Sequence, residues 1–291
     1  MHSEPEMTSP GAAVHQSLPT RLGHRADARL VIINCADLGT CHAANVGIYE
    51  ALDLGLATSA TLAVPAPWSR EAAYRYRGED IGVQLMVNSD WDRVRWGPIT
   101  QAPSLLDGDG GFPRTVIDTW DHADLDEIRR ECRAQLERAI LWGFDVSHLD
   151  SHLSALQLRP EFFDIFREIA TDFNLPVSLP TAGVERQSGF PFRQLASDEG
   201  LLFPDHLIVV GPTIGIRELE RKIFDLEPGV TEIQVRPAVN TAELRAATPD
   251  WASRVENHDL LTADRRLRIV LERAGVILTG YRELRAAQMA G

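Results

Sequence analysis

The chain has 291 residues, 44% of them hydrophobic, and a formal net charge of −13, which is enough apolar material for one large core. The acidic balance, without a cluster of Lys and Arg, excludes the electrostatic footprint of a nucleic-acid binder. No apolar run is long enough to span a bilayer and no charged-then-apolar leader opens the chain, so a cytoplasmic protein without membrane contact is expected.

In chain order, residues 1–27 are polar and aperiodic and read as a mobile tail, leaving 28–291 as a single domain. Residues 30–34 form a short apolar strand and 44–54 a helix closed by Gly55. A second strand (58–64), a helix (68–76) and a third strand (81–87) follow. A Gly- and Trp-rich insertion spans 90–120; a lid and an oligomer contact, such as a homodimer would use, both remain open for it. The helix at 125–142 delivers a fourth strand, with strand-like Phe144-Asp145-Val146 leading in, and a helix at 160–173 comes after it. Runs at 176–179, 207–210 and 231–235 continue the series, and 276–279 closes it. Seven or eight β-α units without a break in composition predict an α/β fold, a (β/α) barrel rather than an open doubly wound sheet. No Gly-rich phosphate loop follows the first strand, so a nucleotide cofactor loses support. Cys35, Cys41 and Cys132 lack CxxC spacing and fit free thiols in a reducing compartment.

The densest chemistry lies in Ser147-His148-Leu149-Asp150-Ser151-His152. Alternation along a strand puts His148, Asp150 and His152 on one face. Two imidazoles and a carboxylate there suit a metal site or a proton-transfer site, and a strand end opening into a loop is where α/β proteins place their chemistry. A solvated turn that happens to hold histidines is the plainer alternative. Other strand ends would meet these residues at the barrel mouth. Asp37 follows strand one, where a helix-cap role is equally open. Gln84 stands within strand three and Asn88 follows it, and Arg236 follows the strand at 231–235. Trp91 and Trp96 pack or wall a cleft.

Several motifs taken in order resemble the YdjC/ChbG/HpnK family of carbohydrate deacetylases. They are Ile33-Asn34-Cys35-Ala36-Asp37-Leu38-Gly39, Asn45-Val46-Gly47-Ile48, Gly55-Leu56-Ala57-Thr58-Ser59-Ala60-Thr61 and Ile81-Gly82-Val83-Gln84-Leu85. Ser104-Leu105-Leu106-Asp107, His148-Leu149-Asp150-Ser151-His152, Pro160 and Glu232-Ile233-Gln234-Val235-Arg236-Pro237 complete the set. The resemblance covers nearly the whole chain after the tail. It implies a distorted (β/α) barrel of the YdjC-like deacetylase fold, a divalent metal such as zinc or magnesium, and hydrolysis of the N-acetyl group of an amino sugar.

The same resemblance marks three departures. Its first motif implies two adjacent aspartates, a base and a metal ligand, where this chain has Ala36-Asp37. Its third-strand motif implies a histidine ligand, where this chain has Gln84. Its late motif implies a histidine that assists the leaving group, where this chain has Arg236. A neutral amide oxygen binds transition metals weakly, and a guanidinium repels a dication. Losing the base alone costs about 10²–10⁴-fold in rate.

The expectation is therefore a repurposed, metal-free enzyme that promotes cyclisation, isomerisation or elimination of a small organic molecule. His148 or His152 would shuttle a proton, Asp150 or Asp37 would fix the tautomer, and Arg236 would hold a carboxylate or oxyanion. Gln84, Asn88, Trp91 and Trp96 would contact the substrate. Two alternatives stand beside it. One is a metal-dependent carbohydrate deacetylase with Asp37, His148 and His152 as ligands; the other is a ligand-binding pseudoenzyme without turnover.

Overall fold

The computed structural model describes residues 16–54, 56–211 and 214–290. Seven parallel strands make one sheet: β1 (Arg29–Leu38), β2 (Ser59–Leu62), β3 (Ile81–Leu85), β4 (Leu149–Ser151), β5 (His206–Val209), β6 (Gly229–Val235) and β7 (Ile277–Leu278). Their order is β4-β3-β2-β1-β6-β5, with β7 pairing the start of β1 at Leu30 and Val31. A bridge from Leu149 to Val177 extends the β4 edge, and the sheet curls into a distorted, partial barrel flanked by helices. β1 is buried at every position after Arg29, as a parallel strand covered on both faces must be.

The helices carry helix chemistry. In Leu125–Leu141 the Asp124 carboxylate accepts from the backbone N–H groups of Asp126 and Glu127, which satisfies donors that a helix start leaves orphaned. Its buried residues Ile128, Cys132, Gln135, Leu136 and Ala139 recur at helical spacing. Two polar members of that face position the neighbouring loop. Gln135 exchanges hydrogen bonds with both backbone groups of Met86, at 2.9 and 2.8 Å. The buried Glu131 accepts from the backbone of Ile99 and Thr100. Strand three and the insertion after it are thus tied to one helix. No helix among the described residues is long and apolar enough to cross a membrane.

Several sequence expectations need correction. Phe144 to His148 is not strand; β4 is only Leu149–Ser151. The run at 176–179 contributes a single bridge at Val177, because it opens on Pro176 and is followed by Pro180, and proline cannot donate to a ladder. The expected tail contains a helical turn, Leu18–Arg21, whose Leu18 packs with Leu30, Ile32, Val230 and Tyr281; residues 1–15 of that tail lie outside the described residues, as does Gly55. The insertion is not all loop: it holds a 3-10 turn, Pro103–Leu105, and a helix, Val116–His122, capped by Thr115.

Candidate functional site

Asp37 sits near the end of β1 with φ +72°, a left-handed conformation that is costly for a residue with a side chain and concentrates at functional sites. The pairing of β1 with β2 shifts register between Cys35 and Leu38. This bulge re-aims the side chain at Asp37. The turn that follows is fixed by Asn45, whose Oδ1 accepts from the Gly39 N–H at 2.7 Å and whose amide donates to Glu71 at 2.6 Å.

Asp37 is buried, and its Oδ2 lies 2.9 Å from Arg254 Nη1 and 3.3 Å from Arg236 Nε. Burial works to raise this carboxyl, but the two guanidiniums overcome it and hold it at about 2. Arg254 is itself buried, pairs with Asp250 at 2.9 Å, and lies 5.0 Å from the Trp91 ring centroid.

His152 follows β4 directly. Its Nε2 meets Asp90 Oδ1 at 3.0 Å, while its Nδ1 faces Asp37 Oδ1 at 4.0 Å. Both facing atoms are buried and lack a hydrogen-bond partner. The contact with the Asp90 carboxylate makes Nε2 a donor, while Nδ1 is turned towards Asp37. Two left-handed residues, Leu153 at φ +50° and Ser154 at φ +56°, carry the chain away from it. Trp96 meets the His152 ring edge-on and reaches back to the Asn88 carbonyl at 2.9 Å.

One layer inward, Asp150 Oδ2 accepts from Gln84 Nε2 at 3.3 Å and Gln234 Nε2 at 3.2 Å. Burial and the neighbouring Glu232 charge push its carboxyl up to about 7. A cavity of about 210 Å³ opens beside it, with Arg236, Gln84, Asp150, Gln234 and Ser178 in its wall. A wider cleft of about 500 Å³ over the insertion shares no lining residue with this cavity.

His148 does share the face of Asp150 but not its neighbours. It lies in the barrel floor, stacked on Tyr281 at 3.6 Å with Nδ1 2.9 Å from Ser147 Oγ. Burial lowers its pKa to about 3, so the ring is neutral and packed. Tyr281 donates to Glu232 at 2.7 Å, and Glu232 also accepts from Ser178 and Asn34. The expected placing of His148 with Asp37 and His152 is corrected: two residues along a strand is a full layer of the barrel.

Of the expected residues, Asp37, Arg236, His152, Asp150 and Gln84 converge on the mouth. Trp91 and Trp96 are buried over Arg254 and His152 rather than in the cavity wall, and Asn88 is buried with both side-chain polar atoms unpartnered. Sequence reasoning missed Arg254, Asp90 and Gln234. Gln234 carried a readable signal, since it shares a strand face with Arg236; Arg254 lies in a polar helix stretch where nothing sets it apart.

The divalent metal implied by the family resemblance can be tested on these donors. Among the described residues no three His, Cys, Asp or Glu side chains are placed to share an ion. Asp37 and His152 supply two donors, where a catalytic zinc site draws three from the protein. Two guanidiniums already neutralise the one carboxylate. The residues present do not fit a divalent metal.

A parallel, partial (β/α) barrel with its polar and strained residues gathered at the C-terminal strand ends defines an enzyme-type α/β scaffold. The family model described as "YdjC-like protein" matches residues 30–272, and the chain belongs to that family. A carbohydrate deacetylase of Thermus thermophilus is 34% identical over 255 residues, covering 84% of this chain and 90% of the relative. One of Geobacillus stearothermophilus is 30% identical over 257 residues, covering 88% and 98%. A crystal structure from Enterococcus faecalis, described as a cellobiose-phosphate cleavage protein, matches with a TM-score of 0.76 at 23% identity, over 88% of this chain and 99% of that one. That likeness shows the fold. The expectation of a YdjC-like barrel is met.

Proposed function

We propose that this chain is an enzyme acting on a small carbohydrate-like molecule in the mouth cavity, by acid–base chemistry and positioning without a divalent metal. The reaction class is cyclisation, isomerisation or elimination. The observation that carries this reading is the pairing of Asp37 with Arg254 and Arg236, on the carboxylate that the family resemblance assigns to a metal. Asp150 is the carboxyl in the cavity wall, and its value near 7 suits it to give or take a proton at neutral pH. Arg236, in the same wall, offsets negative charge developing on a substrate oxygen. His152, oriented by Asp90, backs them from beneath the tryptophans.

A second reading, metal-dependent carbohydrate N-deacetylation, is favoured by the relatives' names and by the two unpartnered atoms of Asp37 and His152 that face each other. The comparisons support it more directly than they support the first. The two separate on one assay: incubation with N-acetylglucosamine oligomers, with zinc or with chelator, followed by acetate measurement. The first reading expects no acetate above the protein-free control under either condition. Acetate released with zinc and suppressed by chelator would overturn it in favour of the second.

A further inference from the structure

The cavity wall has one feature that a site for neutral sugars does not need. Arg236 comes nearest to Asp37 through Nε, at 3.3 Å. Among the described residues no carboxylate other than Asp37 lies within ion-pair distance of Arg236, and its side chain is 20% exposed in the cavity wall. A planar guanidinium with its fork end free recognises a carboxylate or phosphate through two parallel hydrogen bonds.

The same cavity is lined by hydrogen-bonding groups suited to hydroxyls. Asp150 has one oxygen held by the two glutamine amides, Gln84 Oε1 is buried without a donor, and Ser178 lies beside them. Leu207, Val209 and Pro180 give an apolar side. The volume of about 210 Å³ is below the ~300–1,000 Å³ typical of drug-sized ligands, and so admits a single sugar ring.

We propose that the cavity takes a monosaccharide carrying an anionic group, with that group on the fork end of Arg236 and ring hydroxyls on Asp150 and Gln84. The proposal rests on the reading of this mouth as a carbohydrate-type site, not on which reaction follows.

The test is calorimetric titration of the full chain with glucuronate, glucose 6-phosphate, glucose and N-acetylglucosamine, each repeated with Arg236→Gln after its thermal melt confirms folding. Charge-assisted hydrogen bonds predict that at least one anionic sugar binds about 10–100-fold tighter than glucose. In Arg236→Gln that ratio should fall towards one, and it should shrink with added salt in the wild type. The glucuronate and phosphate arms show whether the carboxylate or the phosphate source is preferred. Neutral sugars binding as tightly as the acids, or a preference that survives Arg236→Gln, would overturn the anionic proposal and leave the carbohydrate site standing. Binding of none of the four would overturn both.

Discussion

Arg254 is the residue whose removal should be felt most strongly. It is buried and holds Asp37 and Asp250, and the buried Asp37 has no solvent to turn to in its place. Arg254→Met keeps the volume and deletes the charge, so Asp37 is left with the longer Arg236 contact. Breaking a buried pair by removing one partner costs about 3–5 kcal/mol, and chemical denaturation should show a loss of that size, against a surface substitution such as Arg217→Met near zero. An effect below about 1 kcal/mol would mean that Asp37 is not held as described. Residue identity was readable along strands and at their ends: Gln84 stands in an apolar strand, alternation marks Asp150 and His152, and Asp37 and Arg236 follow strand ends. Arg254 and Asp90 were not readable, because they reach the site from a helix and a loop, where charged residues are ordinary. His148 was misplaced for a geometric reason: alternation names a face but not a depth.

At the scale of elements, the close approach of β3 to the chain entering β4 is set by Gly82. A Cβ there would lie 2.5 Å from both His148 Nδ1 and the His148 carbonyl oxygen, and the backbone oxygen cannot step aside without moving the Val83 N–H···O=C bond of 3.0 Å. Gly82→Ala should therefore destabilise by about 1–3 kcal/mol or more, the cost of overpacking, with loss of the His148–Tyr281 stack. A melting temperature unchanged from wild type would contradict this packing. The apolar runs made the existence and order of the strands legible, and their parallel direction followed from the helices between them. Strand lengths were not legible: hydrogen-bond partners decide them, so the run at 176–179 shrinks to a bridge between two prolines. The helical turn at Leu18 escaped notice because four residues are too few for a period to appear.

For the molecule as a whole, the two mouth carboxyls push stability in opposite directions with pH. Asp37 has a folded value of about 2 against an ordinary 3.8, so its contribution, on the order of 2 kcal/mol, is fully present above about pH 4 and lost as pH falls through 2. Asp150 has a folded value of about 7 against 3.8. The folded state then binds the extra proton, and its share of stability falls as pH rises from about 4 to 7. Asp150→Asn should flatten that limb: the gap in denaturation midpoint between pH 4 and pH 8 should narrow relative to wild type, and an unchanged gap would show that Asp150 ionises normally. The central claim, that this barrel mouth has exchanged a metal for a guanidinium clamp, is tested most directly by titrating zinc and magnesium into the purified chain. The titration is run in parallel with a variant carrying Ala36→Asp, Gln84→His and Arg236→His. The account predicts no stoichiometric binding to the wild-type chain and a gained site in the variant; one tightly held ion per wild-type chain would contradict it.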